Sequence, residues 1–157
     1  MQVRLAGIKQ ESVTDGEGLR AVVYFQGCPH HCPGCHNPES HDPRGGYVAE
    51  TEEVLEVLCS NPLIDGITLS GGEPLLQPEA ALALAQGARE RGKSVWVYTG
   101  FTLKAILADP VKRAVLSYTD VLVDGPFILA ERDLSLAFRG SRNQRLLTPT
   151  DWQVAVN

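Results

Sequence analysis

Short apolar runs alternate with longer mixed segments along the chain, and this alternation predicts strands separated by helices. The apolar runs, too short for helices, are residues 3–8, 19–26, 67–69, 94–98 and 121–123. In the second run both alternating sets of residues are apolar, which is typical of a strand covered on both faces. The mixed segments with helical spacing are residues 51–58, 78–92 and 102–117.

The predicted helices have recognisable end signals. Thr51 has the side chain of an N-cap, and the two glutamates after it favour the positive end of a helix. Pro78 opens the second helix and Gly92 ends it. Asp109-Pro110 interrupts the third, because proline cannot continue the hydrogen bonding of the preceding turn.

Strands joined by helices favour a parallel sheet with right-handed crossovers. A complete eight-stranded barrel needs about 250 residues, whereas this chain has 157. We therefore expect one domain over residues 1–157, of the α/β class, built as an incomplete (partial) TIM-type barrel of parallel βα units. One side of such a barrel stays uncovered, which leaves room for a large substrate such as another protein.

Composition narrows the class of protein. Charged residues make up 21% and hydrophobic residues 43%, as in an ordinary soluble globular chain. The net charge of -5 argues against nucleic acid as the main partner. The chain has no apolar run of about 18 residues, so we expect no membrane span. Its first residues lack the apolar stretch of a signal peptide, and we expect a cytoplasmic protein.

One loop concentrates the metal-binding side chains. Cys28, Cys32 and Cys35 have C-x3-C-x2-C spacing just after a predicted strand, and all four histidines fall within residues 30–41. Thiolates in a short Pro/Gly-rich loop can converge on a metal or a cluster. Two alternatives are open from this loop alone. One is a structural zinc site completed by a histidine at 30, 31 or 36. The other is a four-iron cluster with one iron left without a cysteine.

The fourth cysteine is set apart from this loop. Cys59 follows a predicted helix whose apolar residues surround it in the sequence. We interpret it as a structural thiol of the core and not as a fourth ligand.

Four predicted strands each end in a polar segment that contains glycine. These segments are Gly27 with the cysteine loop, Gly71-Gly72-Glu73, Thr99-Gly100 and Asp124-Gly125. The carboxyl ends of parallel strands lie along one edge of a sheet, where active sites form. We therefore expect the four segments to meet. A zinc site with a purely structural role would not require this convergence.

Taken together, the motifs resemble the radical S-adenosylmethionine enzymes, which combine C-x3-C-x2-C with a Gly-Gly-Glu-Pro segment such as residues 71–74. Further blocks are similar to one group within them, the activating proteins of anaerobic ribonucleotide reductase. These blocks are residues 27–40, 97–101, 120–127 and 138–145. The resemblance covers nearly the whole chain and implies a radical SAM fold.

The resemblance implies a specific chemistry. Cys28, Cys32 and Cys35 would bind three irons of a [4Fe-4S] cluster, and the amino and carboxylate groups of S-adenosylmethionine would bind the fourth. An electron from a reducing electron donor would cleave S-adenosylmethionine to methionine and a 5′-deoxyadenosyl radical. That radical would take hydrogen from a glycine of the large subunit of anaerobic ribonucleotide reductase and leave a glycyl radical there.

The resemblance also implies roles near the cosubstrate. The backbone of Gly71 and Gly72, or the carboxylate of Glu73, would accept hydrogen bonds from its ammonium group. Gly34 and His36, which flank Cys35, would contact the adenine. A hydrogen bond from His36 to its own loop is the open alternative.

Two further strand-end residues match a cation-binding pattern in the related pyruvate formate-lyase activating group. Thr99 and Asp124 match that pattern, but Tyr98 stands where it has an acidic residue, which puts the cation site in doubt. Asp124 could instead cap the turn at Gly125-Pro126.

Arginines cluster in the last third of this acidic chain. A solvated face is one interpretation. Our hypothesis is that residues 139–145 lie beside the open mouth and help to seat the reductase or the cosubstrate carboxylate. The arginines concerned are Arg132, Arg139, Arg142 and Arg145.

The alternatives for the whole chain are an activase of another glycyl radical enzyme, an electron-transfer iron–sulfur protein and a zinc-stabilised interaction module.

Overall fold

In the computed structural model, which describes residues 1–35 and 38–156, seven strands form one mixed sheet. The strands are β1 (Gln2–Ser12), β2 (Arg20–Phe25), β3 (Tyr47–Glu50), β4 (Gly66–Gly71), β5 (Ser94–Tyr98), β6 (Val121–Asp124) and β7 (Arg145–Leu147). Their order in the sheet is β3-β1-β2-β4-β5-β6-β7. The helices are α1 (Thr51–Leu58), α2 (Pro78–Glu90), α3 (Leu103–Leu107), α4 (Pro110–Val115) and α5 (Pro149–Val156).

The centre of the sheet is parallel and its edges are antiparallel. Strands β2, β4, β5 and β6 pair in parallel, which confirms the predicted βα units for this part of the sheet. The prediction was wrong for β1, because residues 13–19 connect it to β2 by a loop too short for a parallel crossover. Strands β3 and β7 also pair antiparallel, with β1 and β6 respectively.

The hydrophobic core lies on the face of the sheet that carries the helices. Alternate residues of the central strands point into it, among them Val23, Leu69 and Val97, which are fully buried. Helix α2 buries small residues, and at Gly87 it closely approaches α1, where a Cβ would lie 2.4 Å from a methyl of Leu55. Each large side chain buried here stabilises the fold by about 1.5–3 kcal/mol.

The opposite face of the sheet is polar and aromatic at the amino-terminal ends of the parallel strands. Arg20 is 1% exposed, and its guanidinium donates to Thr68 Oγ1 at 2.9 Å, the carbonyl of Ile67 at 2.8 Å and the carbonyl of Ser94 at 3.0 Å. The guanidinium carbon also lies 5.7 Å from the ring centre of Trp96. Burial lowers the pKa of Arg20 to about 10, so the side chain stays charged at neutral pH. The hydrogen-bonded guanidinium of Arg20 therefore fills this face of the sheet at the amino-terminal ends of the parallel strands.

The helix ends agree with the sequence in most places. The predicted break lies between α3 and α4, where the Asp109 carboxylate accepts from the N–H groups of Val111 and Lys112. The predicted cap of α1 was wrong by one residue: Glu50 holds the N-cap position and Thr51 is already helical and buried. Of the helices in the described part of the chain, none combines the length and the hydropathy that a bilayer crossing needs.

Candidate active site

The carboxyl ends of the parallel strands meet around one cavity of about 610 Å³. Its lining includes residues that follow β2, β4, β5 and β6, namely Cys28, Cys32, Cys35, Gly71, Gly72, Thr99, Gly100 and Gly125. The predicted convergence of the four strand-end segments is confirmed. A volume of this size is typical of a small-molecule site.

Two backbone hydrogen bonds join the start of the cysteine loop, at residues 27 and 28, to its end at residues 40 and 41, and we call this pair of contacts the neck. The N–H of Gly27 donates to the carbonyl of Ser40 at 2.6 Å, and the N–H of Cys28 donates to the carbonyl of His41 at 3.1 Å. Within the loop, the N–H of Cys35 donates to the carbonyl of Cys32 at 3.1 Å. The three cysteines are partly exposed, line the cavity and form no disulfide. Burial raises the pKa of the Cys28 thiol.

Glycine is required at the end of β4 because two backbones approach each other there. Gly71 has φ +85°, and a Cβ on it would lie 2.6 Å from the nitrogen of Phe25. A Cβ on Gly72 would lie 2.4 Å from the carbonyl oxygen of Gly27. The ends of β2 and β4 are therefore packed backbone against backbone, and Gly71 and Gly72 present main chain to the cavity.

Glu73 lies behind this lining. Its side chain is 0% exposed, and it is not among the described residues that line the cavity. Its Oε2 accepts from the N–H of Leu75 at 2.9 Å and from the hydroxyl of Thr99 at 2.8 Å. Its Oε1 accepts from the N–H of Gly100 at 2.7 Å. Of the predicted acceptors for an ammonium group, the backbone of Gly71 and Gly72 is thus the part that lines the cavity.

Thr99 and Asp124, which match a cation-binding pattern that Tyr98 leaves in doubt, make different contacts within the protein. Thr99 lines the cavity but bonds to Glu73, and its hydroxyl oxygen accepts from the N–H of Phe101 at 3.1 Å. Asp124 is 1% exposed and is not among the described residues of the lining. Its carboxylate binds Arg145 and accepts from the N–H of Leu103 at 2.9 Å, so it does not cap the turn at Gly125-Pro126.

Gly34 and His36 were predicted to contact adenine. Gly34 has φ +75°, and a Cβ on it would lie 2.9 Å from a methyl of Leu129. The loop therefore packs against the segment that follows β6 at this point. Gly34 is not among the described residues that line the cavity, and His36 lies outside the described residues.

Of the clustered arginines, Arg139 lines the cavity. One of its Nη1 hydrogens is donated to the carbonyl of Gln144 at 3.0 Å, while its buried Nε has no hydrogen-bond acceptor among the described residues. Arg142 and Arg132 are exposed. Arg145 is paired with Asp124 and is 56% exposed in its side chain.

Sequence reasoning missed most of one wall of the cavity and the contacts of one histidine. The wall consists of residues 13–15 and 136–140, of which residues 139 and 140 lie in the segment expected beside the open mouth. The hydroxyl of Tyr98 donates to the carbonyl of Phe138 at 2.6 Å and ties this wall to β5. The similarity of residues 138–145 to a known family was the signal that could have indicated it. His30, one of the three histidines considered above as a zinc ligand, is 16% exposed in its side chain and lines the cavity.

The donor set around the cavity is of a kind that can hold an iron–sulfur cluster. Ligands of one zinc ion all lie about 2.0–2.3 Å from it. Among residues 1–35 and 38–156, no group of three or more His, Cys, Asp or Glu side chains could hold one metal ion. An iron–sulfur cluster offers its irons at separate corners, so its thiolate ligands stand farther apart. Three cysteines around a cavity of about 610 Å³ suit that arrangement.

Comparisons with known proteins place the chain in a class. A family model described as a 4Fe-4S single cluster domain matches residues 14–147. The crystal structure of QueE from Escherichia coli has a similar fold, with a TM-score of 0.51 and 19% sequence identity. That similarity covers 65% of this chain, which spans about half (54%) of the QueE chain. The chain is therefore a protein of the 4Fe-4S single cluster class.

The relatives define the family more narrowly. The chain is 40% identical to the anaerobic ribonucleoside-triphosphate reductase-activating protein of Haemophilus influenzae, over 84% of this chain and 89% of that protein. It is 36% identical to the protein of the same name from Escherichia coli K12, over 84% and 90%. A third protein of that name, from bacteriophage T4, is 34% identical over 87% and 88%. The chain belongs to the family of anaerobic ribonucleoside-triphosphate reductase-activating proteins, which confirms the resemblance.

Proposed function

We propose that this protein is a radical S-adenosylmethionine enzyme that activates an anaerobic ribonucleoside-triphosphate reductase. In this proposal Cys28, Cys32 and Cys35 hold a [4Fe-4S] cluster, and S-adenosylmethionine occupies the cavity beside it. The observation that carries the proposal is that three thiols and the Gly71-Gly72 backbone line the same cavity at the carboxyl ends of parallel strands. The names of the relatives support the choice of partner.

The chemistry belongs to the cofactor and the orientation to the protein. Once bound, and reduced by an electron donor, the cluster would supply the electron for cleavage of S-adenosylmethionine to methionine and the 5′-deoxyadenosyl radical, which would take a hydrogen atom from a glycine of the reductase. Gly71 and Gly72 let the ammonium group approach main-chain acceptors without a side chain in the way. The three cysteines leave the remaining coordination position of the cluster to the cosubstrate.

Arg139 is our candidate for the carboxylate of the cosubstrate. Its buried Nε has no acceptor among the described residues, although one Nη1 hydrogen is already committed to Gln144. A guanidinium with a spare donor at a cavity wall suits a carboxylate, since it can add a charge-assisted hydrogen bond. Gly34 and His36 remain our candidates for adenine. Asp124 is assigned a structural role.

The proposal includes the shape of the protein. We propose a single domain in which the sheet is an incomplete barrel that opens toward the reductase. Two observations support this shape: the strand order is open, running from β3 to β7, and the described helices pack into one core on one face of the sheet. An open side would let a glycine-bearing segment of a large protein reach the cavity.

The decisive experiment compares the three loop cysteines with the fourth. Each of Cys28→Ala, Cys32→Ala, Cys35→Ala and the matched control Cys59→Ala is reconstituted anaerobically with iron and sulfide. Iron per chain, the visible spectrum and 5′-deoxyadenosine formed with dithionite and S-adenosylmethionine are then measured. Cys59 is packed against the core and is not among the described residues of the cavity lining, so its variant retains cluster and cleavage.

The partner is tested in the same reaction. Adding the anaerobic reductase to the wild-type protein yields a glycyl radical signal by electron paramagnetic resonance, and the loop variants yield none. Cleavage without a glycyl radical refutes the partner but keeps the enzyme class. A wild-type protein that binds iron but cleaves no S-adenosylmethionine refutes both.

A further inference from the structure

The ends of β4 and β5 share one buried carboxylate with the cysteine loop. Glu73 accepts from Leu75 in its own segment and from Thr99 and Gly100 at the end of β5. A fourth contact comes from the loop itself: His30 Nε2 lies 2.7 Å from Glu73 Oε1. Two backbone N–H groups and a hydroxyl already donate to this carboxylate, so the geometry suits Nε2–H as the fourth donor.

The imidazole of His30 is held on two further sides. It packs edge-on against Phe101, with ring centres 4.7 Å apart. It also lies against Gly100, where a Cβ would come within 2.4 Å of its Cδ2. Glycine at 100 is thus the residue that makes room for this ring. The next histidine, His31, is exposed, and its ring contacts His41 at the neck instead.

His30 contacts the strand ends from the part of the loop that carries the cysteines. The neck hydrogen bonds fix residues 27 and 28, where the loop begins, and residues 40 and 41, where it ends. His30 lies between Cys28 and Cys32, beyond the neck. Its contact with Glu73 joins the thiol-bearing part of the loop to the strand ends.

We infer that His30 is a positioning residue: its bond to Glu73 docks the cysteine loop on the ends of β4 and β5, and so sets where Cys28 and Cys32 present their thiols. His30 is not an iron ligand in this arrangement, because its Nε2 is committed to a carboxylate. The inference rests on the proposed function only in assigning a cluster to those thiols.

The first test needs no cluster. In the apo protein, alkylation of each cysteine by iodoacetamide is followed by mass spectrometry. Removing the ring in His30→Ala is expected to speed labelling of Cys28 and Cys32 at least threefold, while Cys59 serves as an internal control within twofold of wild type. His31→Ala, which removes the neighbouring exposed ring, leaves all rates within twofold.

A conservative variant separates positioning from general loss of structure. In His30→Gln the amide nitrogen can occupy the position of Nε2 and donate to Glu73, so labelling rates return to within twofold of wild type. Urea unfolding of each variant verifies that the chain is folded. Equal rates in His30→Ala and wild type overturn the inference, and so does a His30→Gln chain that labels as fast as the alanine variant.

The second test uses the reconstituted protein. His30→Ala is expected to retain less than a third of the wild-type iron, and His30→Gln at least two thirds, with a wild-type electron paramagnetic resonance spectrum. A changed spectrum in a fully loaded His30→Gln protein would indicate an iron ligand and overturn the inference. If the wild-type chain itself takes up no cluster, the proposed function fails, while the alkylation rates still decide the role of His30.

Discussion

Asp124 and Arg145 form a two-point ion pair across the last two strands of the sheet. Nη2 of Arg145 lies 2.6 Å from Oδ2 of Asp124, and Nε lies 3.0 Å from Oδ1. The carboxylate is buried, and the pairing raises the pKa of Arg145. An arginine that sequence patterns grouped with candidate binding residues is therefore part of the fold, and it secures the end of β6 next to the cavity.

Breaking this pair should reduce stability more than binding. Arg145→Ala leaves Asp124 buried with the N–H of Leu103 as its remaining donor among the described residues, and an under-satisfied buried group costs about 1–3 kcal/mol. Urea denaturation of the apo protein measures the loss. Arg142→Ala, at an exposed arginine of the same segment, is the control and should change the free energy of unfolding by less than about 0.5 kcal/mol. Similar losses in both variants would contradict this reading.

Gly71 and Gly92 form a matched pair for testing the close approach of β2 and β4. Both have positive φ, +85° and +75°, so alanine at either position is strained by about 1–2 kcal/mol. A Cβ at Gly92 meets no atom within 4 Å, whereas one at Gly71 meets backbone at 2.6 Å. Gly71→Ala should therefore be less stable than Gly92→Ala by a further 1–3 kcal/mol or so. Thermal and urea unfolding of the two apo variants decide this, and equal losses would count against the packing described.

The buried guanidinium of Arg20 should be essential to the sheet. In Arg20→Met the carbonyls of Ile67 and Ser94 lose this donor, and a buried acceptor left under-satisfied costs about 1–3 kcal/mol. Arg20→Lys keeps the charge but not the fork of donors, so an intermediate loss is expected. The free energy of unfolding in urea is the measurement, with exposed Lys104→Ala as control. An Arg20→Met protein as stable as wild type would rule out this role.

Tyr98 should make the protein sensitive to alkaline pH. Burial raises the pKa of its phenol, whose hydroxyl donates to Phe138. The folded state then keeps a proton that the unfolded chain loses above its ordinary pKa of about 10, so stability is full below that pH and falls as pH rises further. Tyr98→Phe should flatten this decline between about pH 10 and 11, as followed by urea unfolding at each pH. Tyr47→Phe, at an exposed tyrosine, should leave the decline unchanged.

Elements with a strong local signal were predictable from the sequence. The strand at residues 94–98 and the helix at residues 51–58 coincide with β5 and α1, because apolar runs and helical spacing identify them without neighbours. The convergence of the strand ends followed from the same reasoning, since parallel pairing brings carboxyl ends to one edge. Strands β3 and β7 have four and three residues and are largely exposed, so no apolar run predicts them.

The contacts that individual side chains make were harder to predict from the sequence than the fold. The sequence correctly placed Glu73 and Asp124 at strand ends beside the cavity. Their carboxylates, however, bind groups within the protein. Their partners, His30 and Arg145, lie 43 and 21 residues away, and no periodicity encodes such pairs. Arg145 is paired with Asp124 for a reason that the sequence pattern does not show, while Arg139 lines the cavity.

Because the neck separates the cysteine loop from the core, oxygen that damages a cluster bound by the loop should leave the rest of the fold intact. The core packs on the helix-covered face and includes none of the three loop cysteines. We therefore expect the core to form without a cofactor, unlike small domains that fold only around a metal. Oxidative damage to a bound cluster would be confined to the excursion between residues 27 and 41, and the folded scaffold beneath would be ready for repair.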